Sequence, residues 1–159
     1  MTGDMKDDSP YEICVVRESG RLEIDTALLS DAVIRTLRIR GCRQARIGVA
    51  LVDDSTIARL NAQYLGQGDP TDVISFDLAD EGDDGVEGEV VISTDTAVRE
   101  AAARGHDAVS EVLLYAVHGT LHLLGMEDGN SREAARMHEL EDEVLCHMGV
   151  GPVFEATEL

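Results

Sequence analysis

Tryptophan is absent from this sequence, and aromatic residues make up only 3% of it, so any core must be built from Leu, Val, Ile and Ala. Lysine is nearly absent as well: Lys6 is the only one, and arginine supplies the other cations. With 32 acidic residues against 13 basic ones, the formal charge is -19, which favours solubility and repels polyanions. This charge counts against broad, sequence-blind nucleic-acid binding. Cysteine is scarce and scattered. Cys14, Cys42 and Cys146 form no C-x-x-C, and an odd count suits a reducing compartment better than a disulfide framework. The longest apolar run, near 112–124, is interrupted by two histidines and is too short to span a bilayer. The acidic opening Met1–Pro10 does not read as a signal peptide. These features together lead to the expectation of a cytoplasmic protein with no membrane partner.

What is present fits one globular domain: 159 residues, 43% of them hydrophobic. Residues 1–10 and 151–159 are expected to be tails around a single domain over 11–150. Tyr11 to Arg17 reads as a strand. Asp25 is suited to cap a helix reaching about Arg40, with Leu28, Leu29, Ala32, Val33 and Leu37 inward and Gly41 as its stop. Ala45 to Val52 reads as a second strand. Asp54 or Ser55 then caps a short helix through Tyr64. Gly66 to Thr71 is a turn by composition, Asp72 to Leu78 a third strand, and Ala79 to Gly85 an acidic loop. Gly88 to Ser93 is a fourth strand, followed by helices over about 94–104, 107–124 and from Asn130 onward. In the last helix Glu133 is placed as capping-box partner, and Met137, Leu140, Val144 and Leu145 face inward. The mixture without strict alternation predicts α+β, with a small mixed sheet of about four strands and about five helices.

The chemistry concentrates in His118-Gly-Thr-Leu-His122-Leu-Leu-Gly-Met-Glu-Asp128. Residues four apart share a helical face, so His118 and His122 point the same way and can grip one transition metal. Gly125 is a natural helix stop, after which Glu127 and Asp128 can turn back toward the same ion. A lone histidine in such a helix would be a hydrogen-bonded core residue; the pair, the turn and the acids favour a metal. A metalloprotease helix carries Glu after its first His as general base. Gly119 stands there instead, which argues against ordinary peptide hydrolysis. Arg35, Arg38, Arg40, Arg43 and Arg46 form the only basic cluster. It reads either as a phosphate-contacting face or as a solvated helix end whose cations complement the helix dipole. His106 reads as a loop residue, and His138 and His147 as surface residues of the last helix.

With these residues in view, the chain resembles the YbeY family of bacterial endoribonucleases over roughly 45–150. The run H-G-x-L-H-L-x-G is matched from His118 to Gly125. Leu60-Asn61, Tyr64, Pro70-Thr71-Asp72-Val73-Ile74-Ser75-Phe76, Gly88-Glu-Val-Val-Ile-Ser93 and Met137…Glu141…Val144-Leu145 follow the family pattern too. The resemblance implies a metalloprotease-like helix and a single Zn2+ held by the H-x3-H-x5-H positions: His118, His122 and, in place of the third His, Asp128. Glu127 is the rival third ligand, and a carboxylate widens the choice of ion toward Mn2+ or another divalent metal. It also implies a single-strand-specific, metal-dependent endoribonuclease of late-stage ribosome maturation and 16S rRNA processing. The implied partners are rRNA, the small ribosomal subunit and ribosomal or assembly proteins, with the arginine cluster as the landing place for RNA. Asp72 and Ser75 are further site candidates through the same resemblance; otherwise they are turn and strand residues. Where the family has Arg after Asn-x-x-Tyr, this chain has Leu65. Arg59 is a poor substitute, about 120° away around the helix axis. That departure motivates the alternative of a non-catalytic, metal-stabilised ribosome assembly factor.

Overall fold

A computed structural model describes residues 10–66, 71–79 and 85–150. The expected tails at 1–9 and 151–159, the centre of the Gly66–Thr71 turn and most of the acidic loop lie outside the described residues. In chain order the elements are β1 (Tyr11–Arg17), α1 (Thr26–Ile39), β2 (Ala45–Val52), α2 (Asp54–Leu65), β3 (Val73–Asp77), β4 (Val86–Ser93), α3 (Thr94–Arg104), α4 (Ala108–Leu123) and α5 (Ser131–His147). The four strands form one mixed sheet in the order β1-β2-β4-β3. β1, β2 and β4 run parallel, and β3 pairs antiparallel with β4 at the edge, Ser75 opposite Val90.

Alternation along the strands sorts the core into two layers. Ile47, Val49, Leu51, Val90 and Ile92 point to the side of α1, α4 and α5, where the main cluster lies. Ala50, Val52, Ile74 and Val91 point the other way, onto Ile57 of α2. α4 is apolar almost all round, burying Val112, Leu113, Leu114, Ala116, Val117, Leu121 and Leu123. At about 1.5–3 kcal/mol for each large side chain, this burial fixes the helix far more firmly than two partly buried imidazoles could.

Two glycines bring α4 close to the sheet. A Cβ on Gly119 would sit 2.6 Å from Val90 Cγ1, and one on Gly88 would sit 2.7 Å from Leu123 Cδ2. Gly119 is thus a packing requirement, and the glutamate of a metalloprotease helix has no room there.

Local expectations need three corrections. Leu28, expected inward, is 39% exposed, because α1 turns Leu29, Ala32, Val33 and Leu37 to the core instead. The cap of α2 is Asp53, whose side chain accepts from the Thr56 N–H. Asp54 instead accepts from Ser93, Thr96 and Arg99, tying α2 to α3. β4 begins at Val86, two residues earlier than expected.

Candidate metal centre

His118 and His122 lie one turn apart on the last half of α4. Asp107 caps the start of that helix, accepting from the Ser110 N–H. At the other end Gly125 takes φ 90°, and the Met126 N–H returns to the Leu121 carbonyl. This is the left-handed stop that reverses the chain toward the imidazoles.

After the turn, Asp128 comes back as expected. The two Nε2 atoms are 3.1 Å apart, and Asp128 Oδ2 is 3.5 Å from His118 Nε2 and 3.8 Å from His122 Nε2. Ligands of a tetrahedral ion with bonds near 2.05 Å stand about 3.3 Å apart, so the three donor atoms are spaced as such a site needs. They are an N, N, O set, suited to zinc and tolerant of harder divalent ions. Among the described residues this is the one group of three or more His, Cys, Asp or Glu side chains close enough to share an ion. Glu127, the rival, lines the adjoining cavity but is not part of that group.

His118 is held from behind. Its Nδ1 lies 2.6 Å from Glu141 Oε2, and Glu141, on α5, has no exposed side-chain surface. Burial alone would lower the His118 pKa, but the hydrogen bond to Glu141 and the negative charges of Glu141, Asp128 and Asp72 outweigh it, leaving the value raised. The other oxygen of Glu141 meets His138 Nδ1 at 3.0 Å. His138, expected to be a solvated surface residue, is therefore tied to the site through Glu141. His147 is exposed as expected. His106 does lie between α3 and α4, but its ring pairs with the buried Glu111, which Arg104 also bridges at 3.2 Å.

Beside the imidazoles opens a cavity of about 360 Å³, lined by Leu65, Asp72, Ser75, Asp77, His118 and Glu127 among others. Ser75 donates to the Gly119 carbonyl at 2.9 Å, so its hydroxyl binds the edge strand to α4 rather than to a neighbouring strand. Asp72 is exposed on the approach to β3. Leu65, the last residue of α2, is 55% exposed at the cavity wall. None of the arginines of the basic cluster lines this cavity. Arg35 pairs with Asp31, and Arg46 with Glu12 and Glu87, while Arg38, Arg40 and Arg43 are exposed at the end of α1 and in the loop to β2.

The residue that sequence reasoning left without a role is Glu141. A signal was there: an acid in the inward stripe between Leu140 and Val144, where apolar residues are the rule.

Comparison with known proteins gives one consistent picture. A family model described as Endoribonuclease YbeY matches residues 17–149. A protein named Endoribonuclease YbeY from Carboxydothermus hydrogenoformans is 41% identical over 133 residues, 82% of this chain and 92% of its own. Another of that name, from Syntrophus aciditrophicus, is 38% identical over 84% of this chain and 87% of its own. The solution structure of a Thermotoga maritima protein superposes with a TM-score of 0.60 at 26% identity, covering 89% of this chain and 94% of that one.

Proposed function

Since the chain belongs to the YbeY family of endoribonucleases, we propose that it is a metal-dependent endoribonuclease that cuts single-stranded RNA. In this reading it acts on 16S rRNA in the cytoplasm during late ribosome maturation. His118, His122 and Asp128 hold one divalent cation, zinc by the donor set. When bound, the ion supplies Lewis acidity toward a phosphate oxygen and lowers the pKa of a ligated water. The spacing of the three donor atoms, 3.1 to 3.8 Å, is the observation that carries the reading.

The cavity itself supports a cation. Asp72, Asp77 and Glu127 line it and Asp128 stands beside His118, so a phosphate approaching the protein alone meets like charge. The chain's own residues then have defined tasks. Glu141 orients His118, Ser75 holds the edge strand against the metal helix, and the walls from α2 and β3 bound the space for the scissile phosphate. Arg38, Arg40 and Arg43, exposed on an otherwise acidic protein, are the proposed contact for the rRNA backbone of the small subunit.

The test is cleavage of rRNA by protein freed of contaminating nuclease, with and without chelator. Activity lost on chelation and in His122→Ala is the expected result. Cleavage indifferent to both refutes it.

Leu65 favours a second reading. A leucine sits at the cavity wall where the family has arginine, so no guanidinium from that position meets the developing charge of the phosphate. A non-catalytic assembly factor, docked on the ribosome or a partner protein, would tolerate this. Leu65→Arg separates the two. An enzyme should gain about 100-fold or more in single-turnover rate, by the usual worth of one such donor. Ribosome co-sedimentation without cleavage, in both wild type and Leu65→Arg, supports the factor.

A further inference from the structure

We propose that Glu141 is a positioning residue of the metal centre, fixing the His118 ring so that Nε2 faces His122 and Asp128. The inference rests on reading those three residues as metal ligands, and it adds a group from a different helix.

The argument begins with cost. A carboxylate with no exposed side-chain surface is expensive unless each oxygen is paired. Glu141 sits in the inward stripe of α5 among Met137, Leu140, Val144 and Leu145, where an apolar side chain would pack at no such cost. Its two oxygens are divided between two imidazoles, Oε2 to His118 Nδ1 and Oε1 to His138 Nδ1. An ionised carboxylate only accepts, so the His118 proton facing it is on Nδ1. In the neutral ring the lone pair is then on Nε2, the atom 3.1 Å from His122 Nε2 and 3.5 Å from Asp128 Oδ2.

A bond that served only to join α4 and α5 could be made to any donor on α4. This one engages the ring nitrogen that points away from the donor cluster, and so selects both tautomer and orientation. The negative charge behind the ring also makes Nε2 a stronger donor. His138, one turn before Glu141 on the same helix, occupies the second oxygen and limits rotation of the carboxylate.

Three measurements test the assignment. Nitrogen-15 NMR of the imidazoles, in wild-type protein both zinc-loaded and metal-free at alkaline pH, should find the His118 proton on Nδ1. A proton on Nε2 overturns the proposal without recourse to any variant. Zinc dissociation constants, measured by competition with a chromophoric chelator, should rise about 10–100-fold in Glu141→Leu. Glu141→Gln keeps an acceptor but loses the charge, and should weaken zinc less than Glu141→Leu does. If Glu141→Leu fails to fold, the Gln variant and the tautomer decide. Folded variants binding zinc within twofold of wild type overturn the role of Glu141 alone. Wild-type protein that binds no zinc instead sinks the ligand assignment, and this proposal with it.

Discussion

Asp128 is the most exposed of the three candidate ligands and the only one outside a helix. Its role is separable from that of its neighbour. Elemental analysis should find Asp128→Ala far below one metal per chain and Glu127→Ala unchanged. Equal metal in Asp128→Ala and wild type would remove Asp128 from the site. His118 gives a second residue-scale prediction, in which sign matters. Its pKa is raised by Glu141 and the nearby carboxylates despite burial. In the metal-free protein the stabilisation from its protonated form is complete below the unfolded value, about 6.5, and is lost as pH rises through the higher folded value. Zinc needs the unprotonated ring, so its contribution grows over that same interval. Thermal unfolding from pH 6 to 8 should thus show the zinc-induced rise in Tm widening with pH; a constant gap would contradict the assignment. At this scale the spacing of His118 and His122 pointed to a shared face, and the family's ligand position pointed to Asp128 over Glu127; the three do converge. No role fell to Glu141, because that contact joins residues 23 apart on separate helices. Nor did the sequence reveal that His138 has a buried acid to meet.

Among the elements, α4 and its fit against β3 and β4 decide the geometry of the site. Gly119→Ala tests this directly. Alanine is a better helix former than glycine by about 1 kcal/mol, yet its Cβ would lie 2.6 Å from a methyl of the fully buried Val90. The clash should prevail, with a net loss of about 1–3 kcal/mol in denaturant unfolding and a weakened zinc site. A stabilised variant would show that the helix is free to shift. Element types and order were legible in the sequence because apolar periodicity and cap residues agree for each segment. Asp25 and Asn130 cap where expected. The cap of α2 was not, since Asp53, Asp54 and Ser55 are all competent there and only the partners of Asp54, Ser93 of β4 with Thr96 and Arg99 of α3, decide between them. The inward direction of Gly119 was also hidden, because a missing side chain leaves no mark in hydropathy.

Over the molecule as a whole, charge is the dominant property. At a formal -19, RNA is repelled almost everywhere, and the exposed Arg38, Arg40 and Arg43 offer a narrow exception. The three phosphate contacts proposed for single-stranded RNA would give a slope of about -2 for log affinity against log salt. Replacing all three arginines by Gln should bring the slope near zero in a fluorescence-anisotropy titration. An unchanged slope would place the RNA elsewhere. The mixed sheet and its count of strands could be anticipated from the alternating segments. The position of β3 at the edge, antiparallel beside β4, could not, because pairing is a long-range choice. Among the described residues no helix is long and apolar enough to cross a membrane.

The three candidate donor atoms are unequally anchored: two project from a helix wedged onto the sheet through Gly119 and Gly88, the third from an exposed turn. The arrangement works like a vice with two fixed jaws and one that slides. On the proposed ligand set, ions of different radius, from magnesium at about 2.0–2.1 Å bond lengths to calcium at about 2.3–2.6 Å, would be accommodated almost wholly by travel of Asp128. Shortening or stiffening the Gly125–Asn130 turn is therefore the natural handle on which cations the proposed site would accept.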